Sequence, residues 1–195
     1  ITKMEIRRDH LEPEFFYHIY NRGINSEDVY KNKDNYLYFL KKAKEFLLPV
    51  ADIYAYCLMK NHFHLLVRIK SEVELKSFFD SQNKNTKIRA EGIHALHSIV
   101  SKQFAKLMSS YTRHGSLFET PFKRIRITDE VYLRNCIIYI HQNSLDINEQ
   151  LEKYDFSSYK IILSNSKTEL KREEVISYFE DIDNFKFCHQ RIVEI

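Results

Sequence analysis

Glycine and proline are scarce, at three residues each in a chain of 195. So few breakers leave no room for long flexible linkers, and with 44% hydrophobic and 14% aromatic residues the composition excludes a large disordered region. Cysteine is equally sparse. Cys57, Cys136 and Cys188 are odd in number and show no Cys-x-x-Cys spacing, which argues against both a disulfide framework and a zinc ribbon and fits a reducing cytosol. No stretch approaches the ~20 apolar residues of a membrane span, and Ile1 to Arg8 lack the apolar core of an export signal. The expectation is a cytoplasmic protein without a membrane partner, folded as one domain with at most a small appendage.

A strong net charge is missing too. The total of +3 names no partner, but the distribution is uneven: residues 60 to 126 carry a balance of +8 and the remainder −5. This basic half is either a solvated surface or a phosphate-binding one.

What is present is organised around Lys60-Asn-His62-Phe63-His64-Leu-Leu-Val67. The flanks are β-branched, aromatic and aliphatic, so the run reads as a buried strand. Side chains alternate along a strand, placing His62 and His64 on one face and Phe63, Leu65 and Val67 on the other. Two imidazoles on one face are half a metal site, or two core histidines that have found hydrogen bonds.

Around this run the remaining elements fall into place. Residues 14–23 read as a strand closed by Gly23, and residues 34–48 as an amphipathic helix stopped by Pro49. Residues 53–59 and 62–69 form a hairpin across Lys60-Asn61. Residues 72–80 make a short helix, 81–90 a polar basic segment, and 93–111 a long amphipathic helix. Residues 116–127 supply a further strand with alternating basic and apolar side chains, and a helix runs from Val131 to about Ser144 after the acidic start Thr128-Asp129-Glu130. Residues 168–179 give a last helix before an acidic and aromatic end. There is no internal repeat. The order predicts an α+β fold of the ferredoxin-like or RRM-like kind, an antiparallel sheet with helices packed mainly on one face.

A metal on His62 and His64 needs further donors. Tyr139 and Asn143 stand four residues apart, so a phenol and an amide project from one helix face. Gln142 at i+3 competes with Asn143 for the role of third ligand. Read alone, Tyr139 is a packing tyrosine, Asn143 a helix-end cap, and His141 a packed or solvent-facing ring.

Taken together, Met59-Lys-Asn-His62-Phe63-His64-Leu-Leu-Val67 and Tyr139-Ile-His-Gln-Asn143 resemble the single-tyrosine HUH transposases, and above all their REP-associated tyrosine transposase branch. Supporting matches are Tyr17-His-Ile-Tyr-Asn-Arg-Gly23, Gly115-Ser-Leu-Phe-Glu119, Phe122-Lys-Arg-Ile125 and Ser157-Ser-Tyr159, so the resemblance spans residues 14 to 165. Three positions depart from it: Lys60 and Ser144 replace prolines, and Pro121 stands where many relatives have arginine.

The resemblance implies an HUH endonuclease core over residues 1–150, with a C-terminal helical and aromatic extension over 151–195 packed on it. It implies a single-stranded DNA endonuclease and strand transferase acting beside a DNA hairpin, with Tyr139 as nucleophile forming a 5′-phosphotyrosine. Mg²⁺ or Mn²⁺ would be held by His62, His64 and Asn143. The implied DNA contacts come from Arg22, Lys60, Arg68, Lys84, Lys87, Arg89, Arg113, Lys123, Arg124 and Arg126, and the assembly is a homodimer or a monomer. The competing reading is a non-catalytic RRM-like nucleic-acid-binding module, whose sheet, aromatics and basic edges bind single strands without cutting them. A third is a metal-dependent hydrolase with a water nucleophile.

Overall fold

The computed structural model describes residues 10–82, 93–111 and 116–195. Four antiparallel strands, β1 (Phe16–Arg22), β2 (Ala51–Met59), β3 (His62–Ile69) and β4 (Lys123–Arg126), stand in the order β2-β3-β1-β4. The α+β antiparallel architecture is the one expected from the sequence. Met59 pairs with His62, so Lys60-Asn61 is a two-residue hairpin turn. Backbone from the β1 exit holds this turn: Gly23 N–H donates to the Asn61 carbonyl at 2.7 Å, and the N–H groups of Val29 and Tyr30 donate to the Lys60 carbonyl at 2.9 and 3.0 Å. A side chain at Gly23 would put its Cβ 2.2 Å from the Glu27 carbonyl oxygen, so close approach demands glycine there.

One sheet face, carrying Tyr17, Ile19, Phe63, Leu65 and Val67, packs against α1 (Lys33–Leu47) and α3 (Ile93–Ser109), with α2 (Glu72–Gln82) adding Leu75. In α1 the buried residues Phe39, Ala43 and Leu47 follow the helical repeat, and the Asn32 side chain caps its start by accepting from Asn35 N–H at 3.1 Å. Leu37, in the same helix, is 49% exposed.

The helices expected mainly on one face divide between the two. The opposite face, with Cys57, Met59 and Leu66, is covered by α4 (Glu130–Gln142), capped by the Asp129 carboxylate on Tyr132 N–H at 2.8 Å. A bulge in β2 turns Tyr54 and Ala55 consecutively to this face. Leu151, Tyr154, Val175, Phe179 and residues of α5 (Tyr159–Leu163) and α7 (Ile182–Cys188) join the same cluster. The outer edge of β2 is sealed by chain rather than left open: Leu58 N–H donates to Phe156 at 2.9 Å, and Ser158 N–H to Tyr56 at 2.9 Å.

Two elements are shorter than their sequence pattern. Within residues 116–127 only Lys123–Arg126 joins the sheet. Phe118 bridges Gly23, the N–H of Glu119 donates to the Arg22 carbonyl, and Pro121 has no N–H for a ladder. The helix expected over 168–179 is α6 (Arg172–Ser177) alone; Lys171, with φ −76° and ψ 53°, stands outside the helical region and donates its N–H to the Ile53 carbonyl at 3.1 Å. Among the described residues no helix is long and apolar enough to cross a membrane.

Candidate active site

The site lies where the end of α4, which packs on β2 and β3, brings Tyr139 over side chains of β3 and of its neighbour β1. Residues directly paired across an antiparallel ladder share a face, and the register Arg22↔His62, Tyr20↔His64 and Tyr20↔Lys123 gathers five side chains there. His18, two residues back along β1, points the same way. Above them, Tyr139 and Asn143 project from the last turn of α4 at the spacing that stacks side chains on a helix face.

Helix and strand do converge. The Tyr139 ring stands edge-on to His64, with ring centroids 5.6 Å apart and planes at 90°, and edge-on to His18 at 5.9 Å. His62 and His64 have ring centroids 5.3 Å apart. Asn143 is both cap and site residue: its Nδ2 donates to the Tyr139 carbonyl at 2.8 Å, which leaves Oδ1 as the amide atom with lone pairs to offer. The amide also bears on both neighbours, drawing the His62 pKa partway back up and that of Tyr139 partway back down.

Gln142 is occupied elsewhere. Its Nε2 donates to the His189 carbonyl at 3.1 Å and to that of Arg191, while Oε1 accepts from Val193 N–H at 3.1 Å. His141 is fully buried, against Ser158 Oγ at 2.7 Å and His189 Nε2 at 2.8 Å. Neither side chain is spare for a ligand.

Burial keeps the imidazoles neutral. His64 is held well below its ordinary value by desolvation, then by the neighbouring rings of His18 and His62; His62 is lowered by burial and by the Arg22 cation; His18 is pushed down to about 3 by burial. Neutral rings keep a lone pair for a metal at neutral pH. Tyr139 moves the other way, raised by burial first and then by the Asp146 carboxylate. The phenol is therefore not ionised in advance.

Among the described residues no three His, Cys, Asp or Glu side chains gather to hold a metal ion. Two neutral imidazoles and one amide oxygen make an incomplete set with open positions, which suits an exchangeable hard or intermediate ion and does not suit structural zinc. Beside it opens a cleft of about 250 Å³ lined by Tyr139, Asn143, Asp146 and the C-terminal Ile192 to Glu194.

The basic residues separate by face. Arg22 and Lys123 share the histidines' face on the β1 and β4 side of β3, with the Lys123 ammonium 5.8 Å from the Tyr20 ring. Lys60 sits at the hairpin turn, 2.8 Å from Asp28, and Arg68 lies at the far end of the site face beside Glu14 at 3.6 Å. Arg124 and Arg126 alternate with Lys123 and point to the opposite face, where Arg124 lies over Phe122 and Arg126 contacts Glu12 and Phe15. Lys84, Lys87, Arg89 and Arg113 lie outside the described residues.

Two site members escaped the sequence reading, His18 and Tyr20. The signal was the alternation His18, Tyr20, Arg22 in a strand, the same period that marked His62 and His64.

No protein-family model matches the chain, and no curated protein matches it. Among solved structures it is similar to a REP-associated tyrosine transposase bound to a REP hairpin, with a TM-score of 0.52 and 13% sequence identity over 82% of this chain and 84% of that one. At that identity the likeness speaks for the fold: this chain has the fold of a REP-associated tyrosine transposase.

Proposed function

We propose that this protein is a metal-dependent endonuclease and strand transferase for single-stranded DNA next to a hairpin, with Tyr139 as its nucleophile. The observation that carries the reading is the placement of one phenol, from a helix late in the chain, edge-on to two buried neutral imidazoles, His18 on β1 and His64 on β3. A packing role explains a half-buried tyrosine; it does not explain why the apolar covering of the sheet gives way here to His18, His64 and Asn143, all almost wholly inaccessible. The solved neighbour with this fold was captured on a DNA hairpin, which supports DNA as the partner.

His62, His64 and the Asn143 Oδ1 would hold Mg²⁺ or Mn²⁺, which when bound supplies positive charge for the phosphate oxygens of the scissile bond. The chain's own residues do the rest. Arg22 and Lys123 bind phosphate oxygens on the β1 and β4 side of the histidine strand. The Tyr139 ring, packed against two imidazoles, is restricted in direction, so its oxygen needs little reorganisation to reach phosphorus in line. Tyr139 Oη forms the new bond to phosphorus and the 3′-oxygen departs. The phenol gives up one proton and the 3′-oxygen takes one, so the products are a 5′-phosphotyrosine and a free 3′-hydroxyl with no net change in protons. Attack by a 3′-hydroxyl on the phosphotyrosine reverses these steps and rejoins DNA without ATP.

Incubation of the protein with hairpin-bearing single-stranded oligonucleotides from the flanks of its own gene, with Mn²⁺, tests this. The expected result is a covalent protein–DNA adduct that Tyr139→Phe abolishes while binding persists. Cleavage that survives Tyr139→Phe with no adduct indicates a hydrolase with a water nucleophile. Binding without cleavage by either protein indicates an RRM-like nucleic-acid-binding module.

A further inference from the structure

His62 and His64 can both serve one cation only if each carries its proton on the nitrogen turned away from it. In a neutral imidazole the nitrogen bearing hydrogen cannot coordinate, and the partner of the other nitrogen decides which that is.

For His62 the answer can be read from the hairpin turn. Its Nδ1 is 2.7 Å from Asn61 Oδ1. The Asn61 amide is oriented by its other end, where Nδ2 donates to the Ser26 carbonyl at 3.3 Å. An amide oxygen only accepts, so His62 Nδ1 is the protonated nitrogen and Nε2 keeps the lone pair.

For His64 the partner is another imidazole. His64 Nδ1 is 2.9 Å from His18 Nε2, and the rings lie nearly parallel with centroids 5.1 Å apart. One proton sits between them. If His18 donates it, His64 must carry its own hydrogen on Nε2 and is lost as a ligand. If His64 donates it, His64 Nε2 is free, and the hydrogen of His18 moves to its Nδ1, which is buried with no hydrogen-bond partner among the described residues. That nitrogen is orphaned under either arrangement, as a bare acceptor or a bare donor, so it does not choose between them; ligation by His64 does.

We infer that His18 is a positioning residue whose Nε2 accepts the Nδ1 proton of His64, as Asn61 accepts that of His62, so that both histidines turn an Nε2 lone pair to the same cation. The inference rests on the metal-dependent reading above. It also accounts for the choice of residue at position 18. A phenylalanine would pack against Tyr20 and Tyr139, which the His18 ring meets at 5.0 and 5.9 Å, but it would leave His64 Nδ1 without an acceptor.

Two measurements on the full chain test this without an activity assay. Long-range proton–nitrogen correlation spectra of the ¹⁵N-labelled, Mg²⁺-saturated protein, assigned with His62 and His64 variants, report each tautomer; both rings are expected in the Nδ1–H form. A His64 that carries its hydrogen on Nε2 overturns the inference. Mn²⁺ affinity, read by electron paramagnetic resonance of the free ion, is expected to fall about 10- to 100-fold in His18→Leu and to recover in His18→Gln, which restores an acceptor. His18→Leu binding Mn²⁺ as tightly as the unmodified protein overturns it too, as does a His18→Gln no better than His18→Leu. Should His18→Leu fail to fold, the spectrum of the unmodified protein still decides. Absence of Mn²⁺ binding by the unmodified protein overturns both this inference and the metal dependence of the proposed function, whereas binding with no DNA adduct overturns the function alone.

Discussion

Two buried histidine pairs lie against helix α4, and they look alike but are bonded differently. Under Tyr139, His18 and His64 meet at 2.9 Å; beneath the C-terminal helices, His141 and His189 meet at 2.8 Å. All four rings are buried and all four are held neutral by desolvation. The second pair is closed. His189 Nδ1 donates to the Phe185 carbonyl, His189 Nε2 must then accept from His141 Nδ1, and His141 Nε2 accepts from the Ser158 hydroxyl, so every ring nitrogen is used once. The first pair is open: among the described residues the buried His18 Nδ1 has no hydrogen-bond partner, and the neighbouring His62 is only half-buried. Buried imidazoles make a clamp when their valences are all spent inside the protein, and have a lone pair to offer a ligand when one is held back.

The largest expected contrast comes from truncating one member of each pair. His64→Ala is expected to reduce adduct formation below detection with only a modest loss of stability. His141→Ala leaves a cavity and strands both Ser158 and His189, at a cost of about 3 kcal/mol or more in unfolding free energy, while the protein that remains folded still forms adduct. Denaturant melts and adduct yields, measured on the same samples, check this. If His141→Ala abolishes adduct at unchanged stability, the clamp reading is wrong.

Acid sharpens the comparison in stability alone. A histidine whose folded pKa is depressed binds no proton in the fold at a pH where the unfolded chain, near 6.5, already does. Its stabilising contribution is complete above pH 6.5 and shrinks as the pH falls toward the folded value, at about 1.4 kcal/mol per pH unit for each ring. For His189 that window runs from 6.5 down to about 4, and for His18 down to about 3. The expected result is a denaturation midpoint that drops steeply from pH 6.5 to 4, before most carboxylates titrate, and drops less steeply in His189→Leu. A midpoint flat from pH 7 to 5 would mean that these rings are charged in the fold.

Much of this contrast was legible beforehand and some of it could not have been. The period of two exposed His62 and His64, and the helical period exposed Tyr139 and Asn143, because both repeats are local. The choice between Gln142 and Asn143 is not local. Positions i+3 and i+4 lie about 100° apart on the two flanks of position i, so both stay near Tyr139, and what decides between them is backbone arriving from Val193, about fifty positions later. His18 was hidden for the same reason: its bond to His64 runs diagonally between strands 46 residues apart, and nothing in a strand's own sequence sets the register of its neighbour. The division of the helices between two faces also depended on distant partners, since the cover for α4 comes from residues 151 onward.

Gln142→Ala turns this distinction into a smaller, cleaner test. It removes three hydrogen bonds to the C-terminal backbone and is expected to cost about 1–2 kcal/mol, to speed amide exchange at Val193, and to leave adduct formation within a few-fold. Asn143→Ala, by contrast, is expected to remove adduct and Mn²⁺ binding together. Reversal of these two outcomes would transfer the third-ligand role to Gln142.

The weakest effects belong to the cations, and there the two faces of β4 provide the contrast. Lys123 shares the histidines' face, as does Arg22 on β1, whereas Arg126, one strand with Lys123, faces away and contacts Glu12. Each phosphate contact releases about one counterion, so Arg22→Ala or Lys123→Ala is expected to lower the salt slope of single-stranded DNA binding by about 0.7 and to weaken binding alike on every sequence. Arg126→Ala is expected to change neither. Equal slopes for all three variants would place the backbone path across both faces of the sheet, and a strand running that way could not lie in line with Tyr139.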